Sequence, residues 1–403
     1  MTELTARELL TMLYETALDA VDGRYLVSQW CKENKKSFTH CIAIGKAAAA
    51  MLQGAHDELP SLKKSLLICP PSKITRQYKK LNNTLCIASS HPVPDERSLE
   101  AGDALLKFLA DTNNSDELLV LISGGTSSLV EVLNEGVTLD QLQQINQYLL
   151  ASGKDIHQIN AWRQQFSDIK GGGLLKYIKS SAVTQLLLSD VKDDRAEFIG
   201  SGLLIDSAEP ADADTYLLTF TSGRVSKRIS SELIVNTFII GNIKLAMQEV
   251  HNAALAEGLA SYLHPEFLEG NVFDVAKNLY EKLKDAKPGI HIWGGETTVR
   301  LPDNPGVGGR NLSLGLAFAQ YLADDSNIHL LAAGTDGVDG NSNCAGAVVS
   351  KFTVQKAKKM GLDIQQELDK ANAGIVLMAT DDLVQGANSN TNVMDIVIAY
   401  VID

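Results

Sequence analysis

The 403-residue chain lacks most of the short signatures by which enzymes are sorted. No CxxC pair occurs, and the five cysteines (Cys31, Cys41, Cys69, Cys86 and Cys344) are an odd number. A disulfide framework is therefore not expected, and a reduced, cytoplasmic setting fits better. No apolar run approaches the roughly 20 residues that span a bilayer, so no membrane partner is expected. The opening MTELTARELLTMLYE reads as an amphipathic helix rather than a signal peptide, with Thr5 and Glu8 at capping-box spacing. Positive charge is scarce too: 36 Lys and Arg face 49 Asp and Glu, a net charge of −13. That argues against a nucleic-acid partner and leaves room for a nucleotide, which needs only a local cationic pocket.

Missing motifs narrow the chemistry further. GxxxxGK[ST] is absent, so there is no Walker A loop, and GGTSS (124–128) fails the GxSxG nucleophile spacing. Residues 306–311, GVGGRN, fail the GxGxxG dinucleotide fingerprint. GTDGVDGNSN fails as an EF-hand, because counting from Asp336 the third residue is Val338 and the twelfth Ala347. His91 sits in a proline-rich loop and reads as a packing or capping residue; the other histidines show no metal-ligand spacing, so zinc is not expected.

What is present is a rhythm. Apolar runs such as CIAIG (41–45), ELLVLIS (117–123), VTQLLLS (183–189), GIHIWGG (289–295), NIHLLAAG (327–334) and MDIVIAYV (394–401) alternate with helical patterns. Near-continuous apolar strands between helices predict an α/β fold with mostly parallel sheets covered on both faces. The length predicts two domains. A polar break at SAEPADADT (207–215) puts the boundary near 205–245. We therefore expect a larger Rossmann-like domain over 1–240 and a smaller α/β domain over 241–403. The first helix is free to pack on either.

In open parallel sheets ligands sit beyond the carboxyl ends of the strands, so the residues just after each strand carry the functional signal. Lys46 opens a helix after CIAIG, as an anion-holding cation or a solvated surface lysine. Gly124, Gly125, Thr126 and Ser127 follow ELLVLIS, as a phosphate cradle or a capped tight turn. Lys170 precedes Gly171, Gly172 and Gly173, a run that implies close backbone approach to a nucleotide or a hinge. Asp190 ends a buried strand, where a carboxylate suits Mg²⁺ or proton abstraction. Glu296 follows a Gly-Gly turn, and Arg310 opens an amphipathic helix as a clamp for carboxylate or phosphate. Asp336 could meet a metal or a substrate hydroxyl, or only shape a turn. Cationic clamps, a metal-binding acid, a base and backbone donors are the parts that phosphoryl transfer needs.

The ordered segments AIGKAA, SHPVPDE, LISGGTSSL, IKGGGL, LSDVKDD, GGETTV, GGRN, AAGTDGVDG and TNVMD resemble those of the glycerate 2-kinase family, whose carboxy-terminal region is called the MOFRL domain. The resemblance covers nearly the whole chain. It implies ATP-dependent phosphorylation of D-glycerate at its 2-hydroxyl, with Mg²⁺ as cofactor, in a cleft between the two domains. It implies catalytic roles for Lys46, Asp190, Arg310 and Asp336, with Asp190 binding Mg²⁺ or acting as base; Glu296 is a further candidate metal ligand from its place after the Gly-Gly turn. It allows a homodimer. The chain departs from the family pattern at GGTSSLV, at SGL (201–203), at GRNLSL and at GANSNTN (386–392). Three rivals follow: a kinase for a related sugar acid, a hydroxypyruvate reductase, and a non-catalytic binding protein.

Overall fold

A computed structural model describes residues 5–78, 81, 83–154, 156–206, 210, 212–221, 233–324, 326–386 and 389–403. Two compact units result: Gly23–Gly241, and Met1–Asp22 together with Asn242–Asp403. The expected first domain, 1–240, thus loses its opening helix to the other unit. The physical reason is where that helix finds cover. The helix Ala6–Ala20 buries Leu9, Leu10, Leu13 and Ala17, and Tyr14 Oη donates a 2.6 Å hydrogen bond to the carbonyl of Gly334. Arg7 reaches the carbonyl of Leu383. The expected capping box is present: the Thr5 N–H donates to Glu8 Oε2 (2.8 Å) and the Glu8 N–H to Thr5 Oγ1 (3.2 Å).

The first unit is a six-stranded sheet of β1 (His40–Ile44), β2 (Lys64–Cys69), β3 (Thr84–Ala88), β4 (Glu117–Ile122), β5 (Ala182–Leu188) and β6 (Val235–Gly241). Every pairing is parallel, and the strand order is β3-β2-β1-β4-β5-β6. Ile42, Ile44, Leu66, Ile68, Val120 and Ile122 face a cluster completed by Ala101, Leu105 and Leu109 of the helix Glu96–Ala110. The alanine-rich helix Ala48–Glu58 packs on β1 and β2. Each fully buried leucine or isoleucine contributes roughly 1.5–3 kcal/mol, so the central strands anchor their own carboxyl ends firmly.

The second unit departs from expectation. Its strands are β7 (Ser261–Leu263), β8 (Leu268–Asn271), β9 (Gly289–Thr298), β10 (Ile328–Gly334), β11 (Cys344–Val349), β12 (Leu383–Gln385) and β13 (Asp395–Val401), ordered β12-β11-β10-β13-β9-β7 with β8 also on β9. β7 and β8 pair with β9 in parallel, and the other pairings are antiparallel. The sheet is mixed, not mostly parallel. Continuous apolar strands report burial on both faces, and that burial occurs in either direction. The helix Arg310–Ala319 is likewise not amphipathic, since Asn311 through Ala319 are all buried. A helix buried around its whole circumference belongs inside a core, and Leu312 and Phe318 join Trp293, Leu330 and Val397 there.

Candidate functional site

In the first unit the strand order reverses between β1 and β4. Crossover helices leave on opposite sides at such a point and open a crevice at the strands' carboxyl ends. Lys46 follows β1 at that point, and its N–H donates to the carbonyl of Gly124, which follows β4 (2.9 Å). Asp190 follows β5, the next strand along, and is half-buried, as is Lys46. Ala47 N–H donates to Ser123 Oγ (3.1 Å), tying the two turns together. Gly125 has φ +84°, and a Cβ there would lie 2.9 Å from the His91 ring and 3.3 Å from Lys46 Cγ. Glycine is therefore required both by conformation and by the approach of these two side chains. His91, read from sequence as a packing residue, is exposed at this edge of the crevice.

Several candidate cofactor contacts are already engaged. Thr126 Oγ1 lies 2.8 Å from the carbonyl of Ser123 and 3.0 Å from that of Ile44, and is buried. Ser127 Oγ accepts from Ser201 (2.8 Å). Lys170 does not present a free cation: its ammonium pairs with Glu131, and both side chains are buried. Glu131 also accepts from Ser167 Oγ (2.5 Å) and from the Val132 N–H (3.1 Å), so this ion pair is locked. The glycine run is no cradle either. Gly171 N–H donates to the Ser201 carbonyl, Gly172 N–H to that of Gly202, and Gly173 N–H to that of Lys170. A Cβ on Gly173 would sit 2.4 Å from the carbonyl oxygen of Asp168. These glycines serve close packing between two loops, and their donors are already used there. Lys170, Gly171, Gly172 and Gly173 therefore fit a structural role better than a phosphate contact.

In the second unit Arg310 opens the buried helix and meets two carboxylates. Asp395, the last residue of TNVMD, takes Nε at 2.5 Å and Nη2 at 3.0 Å, and Glu296 lies 2.9 Å from Nη1. These charges hold the guanidinium firmly protonated against the opposing effect of burial. Asp395 is buried, and loss of hydration pushes its carboxyl upward against the pull of Arg310. Glu296, expected as a metal ligand, is thus committed to an ion pair. Among the described residues no group of three or more His, Cys, Asp or Glu side chains is placed to hold a metal ion.

The two aspartates of TDGVDG have different roles. Asp336 is half-buried and accepts from the Val338 N–H (3.2 Å). Asp339 is buried and accepts from the N–H groups of Asn311 (3.0 Å) and Leu312 (2.8 Å). It caps the Arg310 helix from another loop, because the N-cap residue Gly309 has no side-chain oxygen. Burial pushes its carboxyl up to about 6, against the two backbone donors. Asp339 and Asp395 were missed in the sequence. A glycine at the N-cap and the terminal aspartate of TNVMD were the available signals.

Of the GANSNTN departure, Ala387 and Asn388 lie outside the described residues, as does part of SAEPADADT. Leu203 of SGL and Leu312 of GRNLSL are buried core residues. Among the described residues no helix is long and apolar enough to cross a membrane.

Residues 9–233 match the family model described as a domain of unknown function, DUF4147, and residues 289–395 match the MOFRL family. A D-glycerate 2-kinase of Thermotoga maritima is 32% identical over 90% of this chain and 90% of its own. A glycerate 2-kinase of Pyrococcus horikoshii is 30% identical over 96% of this chain and 93% of its own. The crystal structure of the Thermotoga maritima glycerate kinase superposes with a TM-score of 0.85 at 26% identity, over 98% of this chain and 99% of that one.

Proposed function

Because the chain belongs to the glycerate 2-kinase (MOFRL) family, we propose that it transfers the terminal phosphoryl group of ATP to the 2-hydroxyl of D-glycerate, giving 2-phosphoglycerate and ADP. The observation that carries this reading is the pair of turns holding Lys46 and Gly125 at the switch point of the first sheet, with Asp190 at the end of the next strand along. Phosphoryl transfer asks little covalent chemistry of a protein; it asks for position and charge. Lys46 supplies a cation beside the Gly124–Gly125 turn. Arg310 is a planar fork held by Asp395 and Glu296, and it meets the acid's carboxylate or the moving phosphoryl group. Asp190 or Asp336 takes the hydroxyl proton as the new O–P bond forms.

Magnesium binds through one or two carboxylates together with phosphate oxygens and water, and needs no all-protein cage. A half-buried strand-end carboxylate such as Asp190 fits that demand, whereas Glu296, engaged by Arg310, fits it poorly. When bound, the ion would neutralise phosphate charge.

The test is ADP release across small hydroxy acids, with and without Mg²⁺, with the phosphorylated carbon read by NMR. D-glycerate should give a 2-phosphate, and Lys46→Ala should abolish most turnover while leaving the thermal transition in place. Silence with every hydroxy acid, or wild-type turnover in Lys46→Ala, would reject the reading. Substrate-dependent oxidation or reduction of a nicotinamide would favour the reductase instead.

A further inference from the structure

A cavity of about 710 Å³ opens within the first unit beside Gly125, and Ser127, Asn146, Gln147, Arg163 and Lys170 contribute to its wall. Its size is that of a site for a drug-sized molecule; a three-carbon acid would leave most of it empty. Two cations, Lys170 and Arg163, and two carboxylates, Glu131 and Asp140, stand in its wall, and they are unevenly paired. Lys170 is neutralised by Glu131. Arg163 is not neutralised: its guanidinium is largely shielded from water, its polar partner is Asn146 Oδ1 at 2.9 Å, and no carboxylate pairs with it among the described residues. Holding a cation in that state is unfavourable unless something anionic, or an aromatic face, arrives to meet it.

The rest of the wall adds a second demand. Gln144 and Gln147 are exposed toward the opening, and neither makes a side-chain hydrogen bond among the described residues. Amides offer a donor and an acceptor together, which matches a base edge or a pair of ribose hydroxyls, whereas a phosphate asks only for donors. At Gly125 the wall runs beside the stem of Lys46 and the ring of His91, so a ligand filling the cavity ends where Lys46 begins.

We propose that this cavity seats the nucleoside end of the phosphoryl donor, with Arg163 and the amides of Asn146, Gln144 and Gln147 determining its specificity. The proposal rests on the kinase reading above and deepens it. Arg163 meets the base or the first phosphate, and the amides read the base edge and the ribose.

The test uses the full chain and calorimetric titration with ADP, and separately with inorganic tripolyphosphate. Arg163→Gln should weaken ADP at least tenfold. Gln147→Ala, at an exposed position and so without consequence for folding, should weaken it about threefold. Tripolyphosphate should bind far more weakly than ADP. In steady state the KM for ATP should rise in parallel, with the KM for D-glycerate unmoved. Unchanged ADP affinity in both variants overturns the proposal, as does tripolyphosphate binding as tightly as ADP. If Arg163→Gln fails to fold, Gln147→Ala decides alone. If no hydroxy acid is phosphorylated but ADP binding weakens as described, the glycerate reading fails and this one stands. If D-glycerate is phosphorylated with a wild-type KM for ATP in both variants, the reverse holds.

Discussion

Arg310 and Arg163 are both largely withdrawn from water, in different units, and the chain treats them oppositely. Arg310 is gripped by two carboxylates. Arg163 has a neutral amide. A cation that arrives already paired is being aimed, because its partners fix the plane of the fork. A cation left unpaired carries a standing penalty, which a ligand's charge can cancel. On the proposed reading, the contrast separates a residue that serves geometry from one that serves affinity.

The largest effect that tests this contrast falls on turnover. Arg310→Ala should lower kcat by roughly 10²–10³-fold, the loss expected when a preorganised electrostatic group is removed; a near-normal kcat would make Arg310 a structural residue only. Next comes Asp395→Asn, which leaves Arg310 with Glu296 alone. Breaking a buried pair costs about 3–5 kcal/mol, but Arg310 is about one-third exposed, so solvent screening should hold the loss near 2 kcal/mol in denaturant unfolding.

Asp339→Asn should cost about 1–3 kcal/mol, since its amide nitrogen cannot accept from one of the two backbone N–H groups it caps. It should also change the pH dependence. With a folded pKa of about 6, Asp339 retains a proton that the unfolded chain releases from about pH 4 upward. Its contribution to stability is therefore complete at low pH and is lost as pH rises through 4 to 6. Asp395 acts in the same direction, while Glu266, held down to about 2 by Lys282, acts oppositely at lower pH. Asn at position 339 should flatten stability between pH 4 and 6, measured by urea titrations at several pH values. The smallest effect should be Arg163→Met, neutral or stabilising by up to about 1 kcal/mol, because it removes a cation that has no counter-charge. Clear destabilisation would mean that Arg163 is better satisfied than its contacts indicate.

The legible part of the candidate site was the part set by local pattern. Lys46, Gly125, Asp190 and Arg310 each follow or precede an element that a short window reveals, and strand ends are where ligands gather. The rest depends on which distant residue folds back. Nothing near Lys170 announces Glu131, thirty-nine positions earlier. Nothing in TDGVDG says that its second aspartate caps a helix twenty-eight positions back. The same limit hid the antiparallel pairings of the second sheet and the allegiance of the first helix. Apolar runs record how deeply a segment is buried and leave its partners open.

That allegiance has a consequence for synthesis. The second unit is written in two pieces, with the whole of Gly23–Gly241 between them. Its strand β13 pairs on one side with β10 and on the other with β9, and it emerges after all its neighbours. A growing chain can complete the first unit while the opening helix waits with its leucines uncovered. Only when the strand Asp395–Val401 leaves the ribosome does a full surface exist for that helix to close on. Removing those seven residues should therefore cost far more than an edge strand would: the second unit would lose the middle of its sheet, and the first helix part of its docking surface.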